Sequence, residues 1–184
     1  MNRILVAALA YGLLSANSAQ ALQISVRGDH TDPRRTLHLT GSIEPGDAAR
    51  IRSAVRALPP GTRLIGLTVS SDGGDVGSSL ELIELVDELN VPLLVLGDCM
   101  SACGYWAAGV AAHHHLYLAR EADVRVHRDY DEHGVDDLAD SRRVANILQK
   151  RGVPASICLK IVTTPSADLA PITDELRQME ARAN

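Results

Sequence analysis

The sequence has no Phe, one Trp and four Tyr among 184 residues, so aromatic residues make up only 3%. Lysine is nearly absent as well, with Lys150 and Lys160 the two examples. The 18 basic residues are outnumbered by 23 acidic ones, giving a formal net charge of -5. A nucleic-acid binder needs cations for the phosphates and rings for stacking, so this composition excludes that class. Beyond Ala21 no stretch approaches the ~20 apolar residues that span a bilayer, which leaves the mature chain without a membrane span. No Cys follows the first apolar run to take a lipid anchor.

That first run is itself a signal. Arg3 supplies a positive start, Ile4 to Leu14 are almost wholly apolar, and Ala19-Gln20-Ala21 has the small-residue spacing read by signal peptidase. The expected organisation is a cleavable signal peptide over 1–21 and one α/β domain over 22–184. That predicts a periplasmic or secreted protein whose cysteines must be read for an oxidising compartment. A chain of this size buries roughly two-thirds of its unfolded surface, enough for one self-sufficient core.

Along the mature chain, Thr36 to Thr40 alternates as a strand. Pro45-Gly46-Asp47 then opens a helix with Ala48, Ile51, Val55 and Leu58 at helical spacing. Leu64 to Val69 reads as a strand buried on both faces, broken by Ser70-Ser71-Asp72-Gly73-Gly74. A helix over Ser78 to Leu89 follows, with Leu82, Ile83, Val86 and Leu89 inward. Val91 to Leu96 is a second buried strand ended by Gly97, and Ser101 to Ala112 a helix of small and apolar residues. Strands over His115–Leu118 and Val124–Val126 come next, then helices near Asp140–Arg151, Ala155–Val162 and Thr173–Ala181. Strand and helix alternate throughout, which is the mark of an α/β fold.

Three places could carry chemistry. Gly73-Gly74 joins a buried strand to a helix, where glycines let the backbone turn tightly and expose N–H groups. With no Gly-Lys-Ser/Thr after it, this is a tight turn rather than a phosphate loop. Ser101 falls where the next strand runs into a helix, and free N–H groups there favour a developing anion. Its hydroxyl is either an N-cap or a nucleophile. A strand also delivers His127 at its end. Beside Ser101 that imidazole would be a general base, with a carboxylate wanted to hold it. Asp129, Asp131, Asp136, Asp137, Asp140, Asp168 and Asp174 all follow, and spacing does not choose among them.

The order Gly-Gly turn, Ser-Ala helix start and strand-end His, in register from about Leu39 to Glu175, resembles the Clp protease proteolytic subunit and places the chain in the ClpP/crotonase superfamily. Cys99-Met100-Ser101-Ala102-Cys103 resembles the Cys-x-Ser-Ala-Cys of exported, periplasmic ClpP-like proteins. The resemblance implies a ClpP/crotonase-like spiral of strand-strand-helix units with a helical C-terminal segment. By position it makes Ser101 the nucleophile, His127 the base, and the N–H groups of Gly74 and Ala102 the oxyanion hole. Asp168, before Leu169-Ala170-Pro171-Ile172-Thr173 and Glu175, takes the place of the orienting carboxylate, with Asp174 the runner-up. The implied partners are a peptide or protein substrate and copies of the chain itself, as a trimer or smaller ring, with no cofactor. The interval from His127 to Asp168 is shorter than in the proteolytic subunit, so the protruding segment that builds its double ring is trimmed. A charged stretch, Arg128 to His133, replaces the usual sequence after the His. A Ser-Lys dyad is disfavoured, because both lysines lie beyond His127.

Cys99 and Cys103 are one helical turn apart, near the upper part of the disulfide range, and read as a bridge or as two buried thiols. Cys158 is the odd thiol or pairs with one of them. Of His113-His114-His115, only the outer two could face one ion on a strand, so no metal site is expected. Two functions follow from the resemblance: a serine hydrolase, most simply a peptidase, or a catalytically silent ClpP-like envelope module that binds a protein partner along the same groove.

Overall fold

In the computed structural model, residues 21–183 are described except for 30 and 114; the expected signal peptide, apart from Ala21, lies outside that range. The apolar strands assemble into one sheet, flanked by helices. In chain order the elements are β1 (Gln23–Arg27), β2 (Arg34–Thr40), α1 (Asp47–Arg56), β3 (Arg63–Ser71), α2 (Val76–Leu89), β4 (Leu93–Met100) and α3 (Ala102–Ala111). They continue with β5 (Leu116–Leu118), β6 (Asp123–Val126), α4 (Leu138–Lys150), α5 (Ala155–Thr163), β7 (Ala170–Pro171) and α6 (Thr173–Ala183).

The sheet order is β1-β2-β3-β4-β6-β7, with β5 also paired to β4. Strands β2, β3, β4 and β6 are parallel, and β1 and β7 run antiparallel at the two edges. This is the expected α/β architecture with a helical C-terminal segment. Gly97 does not end β4 as expected. The strand changes partner there, pairing through Leu93–Val95 with β5 and through Asp98–Met100 with β6, so its ladder is renewed before it can fray. β1 and the two-residue β7 were not predicted. β1 is a mostly exposed edge strand, and its Ile24/Val26 alternation is the signal that could have revealed it.

The core gathers around α3, all ten residues of which are buried. A helix apolar on every side has no solvent face to present and takes the centre of the molecule. Its glycines admit its neighbours closely: a Cβ on Gly109 would stand 2.3 Å from Ile83 Cδ1 of α2, and one on Gly104 would stand 2.4 Å from the Arg125 carbonyl oxygen. Between His127 and Asp168, α4 and α5 send Val144, Leu148, Ile157 and Ile161 into the same core.

Candidate active site

Ser101 sits between the end of β4 and the first residue of α3 with φ 55° and ψ −123°. A non-glycine residue in such a conformation costs of order 1–3 kcal/mol and persists only when its surroundings enforce it. Three contacts do so. Its N–H donates to the Arg125 carbonyl of β6 at 2.9 Å. The β3–α2 turn presses on it from the other side, where a Cβ on Gly73 would lie 2.8 Å from Ser101 Cβ. The sulfurs of Cys99 and Cys103, both fully buried, stand 2.04 Å apart and join the two arms of the turn. The hydroxyl makes no cap hydrogen bond, which removes the N-cap reading. A strained strand-to-helix corner that pushes a hydroxyl outward is how a nucleophile elbow works.

The two expected donor amides belong to the turns that meet at this corner. As the first residue of α3, Ala102 has an N–H with no acceptor inside the helix. Gly73-Gly74 bridges to Ile43 through the Gly73 carbonyl (2.7 Å) and the Asp75 N–H (2.8 Å), so the Gly74 N–H points to the opposite side. The Cβ site of Gly73 is 3.1 Å from Ala102 N, so the β3–α2 turn packs against the start of α3; Gly74 lines the Ser101 cleft, and Ala102 is fully buried.

His127 is brought to the same edge by sheet register. Met100 pairs with Arg125, so Ser101 and His127 both lie just past the C-terminal ends of neighbouring parallel strands. The His127 side chain is buried, with 6% of the residue exposed, and its Nδ1 is hydrogen-bonded to the Arg128 carbonyl. A carbonyl only accepts, so Nδ1 carries the proton and Nε2 is left as the acceptor. The ring stacks on Tyr130, centroids 5.8 Å apart and planes inclined by 17°. Tyr130 rather than His127 lines the cleft of about 360 Å³ in which Ser101 lies.

The carboxylates in that cleft are Asp75, Asp129 and Asp140. Asp75 is committed to capping α2, accepting from Ser78 N and Oγ at 2.6 Å. Asp140 is bound by Arg143, whose guanidinium holds its carboxyl below the usual range. Burial, then a hydrogen bond shared with Asp140, pushes Asp129 up to about 6. Asp168 lies in the α5–β7 turn, two residues before Ala170, which pairs with Val126 of β6. Its side chain is exposed and makes no hydrogen bond to His127; Asp174, in the first turn of α6, is exposed as well.

No protein-family model matches the sequence, and no curated protein does either. In three dimensions the chain superposes on a variant of the membrane-bound stomatin-specific protease 1510-N with a TM-score of 0.56 at 15% identity, over 78% of this chain and 74% of that one. A peptidase from Plasmodium falciparum gives 0.54 at 12% identity, over 79% and 91%. A variant of ClpP1 from Listeria monocytogenes gives 0.50 at 15% identity, over 68% and 77%. The fold is ClpP-like. At these identities the likeness is one of architecture, and the site rests on this chain's own geometry.

Within the ClpP-like fold, Ser101 and Gly74 line one cleft, His127 lies past the end of the neighbouring strand without lining that cleft, and Asp168 stays outside it. Tyr130 and Arg143 were missed from sequence. Tyr130 had a signal, as the one aromatic residue in the charged run Arg128 to His133. Among the other expectations, Cys158 is buried and free, and burial pushes its thiol up. His113 lies against Asp87 at 3.1 Å beside Arg151, on the turn after α3 rather than on a strand; His114 lies outside the described residues.

Proposed function

We propose that this chain is an exported serine hydrolase acting on peptide or protein substrates, released to the periplasm or the medium after loss of residues 1–21. The observation that carries the reading is Ser101 held at φ 55° at a strand-to-helix corner, in a cleft that Gly74 also lines. In the reaction Ser101 Oγ bonds to the substrate carbonyl carbon while His127 Nε2 takes its proton. The carbonyl oxygen, now an anion, is met by the Gly74 and Ala102 N–H groups, each worth ~3 kcal/mol in the transition state. Collapse breaks the C–N bond and the proton passes from Nε2 to the leaving amine. Water then repeats the sequence on the acyl-serine and restores the hydroxyl. Asp168 is the proposed orienting carboxylate, reaching Nδ1 once the imidazole turns. A Cys99–Cys103 disulfide, suited to an oxidising compartment, keeps the turn closed.

One observation favours the silent partner-binding module instead: His127 does not line the Ser101 cleft, and its Nδ1 rests on a backbone carbonyl rather than a carboxylate. Activity-based labelling separates the two. A fluorophosphonate should modify the wild type at Ser101, with labelling lost in Ser101→Ala and down by at least about 100-fold in His127→Ala, the lower range for a general base. A wild type that neither labels nor forms an acyl adduct across peptide and ester panels selects the silent module.

A further inference from the structure

We infer that Tyr130 is a gate on His127: its ring holds the imidazole behind the wall of the Ser101 cleft, and the proton acceptor reaches Ser101 only when Tyr130 leaves. This rests on the reading of Ser101 as the nucleophile. Four observations carry it. The Ser101 hydroxyl makes no cap hydrogen bond and so waits for a partner. The imidazole has the tautomer a base needs, with Nε2 free of its proton, yet it is 6% exposed and absent from the cleft wall. Tyr130 is 51% exposed, lines that cleft, and stacks on His127. It is also fixed at the base of a closed loop. Tyr130 bridges to Asp136, and Asp131 Oδ1 accepts the His133 and Val135 N–H groups. Asp136 is tied in turn to Arg128 at 2.6 Å and to the Ser166 N–H at 2.9 Å.

Tyr130 therefore meets both the imidazole and the cleft. A chain that fills the cleft competes for the volume Tyr130 occupies, so substrate entry and release of His127 are a single equilibrium. A ligand moves such an equilibrium only through its differential affinity for the open state, and here that difference is the displaced ring.

The test uses the purified protein, a small fluorophosphonate that does not need to fill the cleft, and the proton resonances of the His127 ring. Tyr130→Ala should label at Ser101 roughly 2- to 10-fold faster than wild type, the factor an aromatic pair carries, and the gain should vanish when His127→Ala is added. The His127 ring protons should move downfield in Tyr130→Ala as the stacked ring's current is lost. An unchanged or slower rate in Tyr130→Ala, with its thermal midpoint kept, overturns the gate, as does an equal gain in Tyr130→Phe, which retains the ring. If the ring protons shift but no variant is ever labelled at Ser101, the stack is real and the nucleophile reading fails, taking the gate with it.

Discussion

Ser101 and Asp129 each depart from the ordinary local state, one in its backbone and one in its charge, and both line the same cleft. Strain at Ser101 is imposed by backbone on both sides, the Arg125 carbonyl and the Gly73 turn. Asp129 is a matter of charge. The folded chain holds its proton more tightly than the unfolded chain, with an affinity raised from 3.8 to about 6. Its contribution to stability is thus complete below about pH 4 and is lost as pH rises through about 6. Asp140, Asp137 and Arg143 are the charges around it; Asp140 shifts the other way. Asp129→Asn cannot ionise. Apart from a constant offset, its thermal midpoint should match wild type near pH 4, pull ahead through pH 6 and level off by pH 8. A gap that stays constant across that range would show an ordinary carboxylate.

Among the elements, α3 decides the site, because it carries Ala102, anchors one half of the cysteine pair and donates the Tyr105 hydroxyl to the His127 carbonyl. Its approach to β6 depends on Gly104, where a Cβ would stand 2.4 Å from the Arg125 carbonyl oxygen and 2.8 Å from Val126 Cγ1. The carbonyl oxygen is backbone and cannot swing aside. Gly104→Ala should cost about 1–3 kcal/mol in urea unfolding and slow Ser101 labelling too, since the same carbonyl receives the Ser101 N–H. A stability loss with labelling intact would mean that β6 shifts without moving the turn. Helix α2 was legible because it buries a face of helical period, and β3 as an apolar run bounded by turn residues, although Ile65 is exposed rather than buried on both faces as expected. β1 and β7 were not, being an exposed edge and a two-residue pairing whose partners are remote in sequence.

At the scale of the molecule, the C-terminal segment closes the core. Ile172 and Leu176 are fully buried, Thr173 Oγ1 accepts the Val124 N–H at 2.8 Å, Arg177 reaches the Ala119 carbonyl at 2.8 Å, and Lys160 pairs with Glu175. Ending the chain at Pro171 opens the face of α3 and the outer side of β6 at once. Removing one buried Leu alone costs about 2–5 kcal/mol, a large part of a domain's stability. The shortened chain should lose its cooperative thermal transition in circular dichroism. A sharp melt within a few degrees of wild type would place the core entirely before Pro171.

The sequence by itself determined the alternation of strand and helix, the Gly-Gly turn, the Ser101 corner and the strand-end histidine. Each is a local pattern, written in the period of apolar residues or in the residue types a turn tolerates. It could not say which carboxylate shares the cleft, because candidates from Asp129 to Asp174 differ only in where distant elements fold back. Tertiary structure brought Asp129 and Asp140 to Ser101, left Asp168 outside and laid Tyr130 over His127. Those outcomes depend on packing between α4, the loop before it and β6, and side-chain direction across such contacts has no signature along the chain.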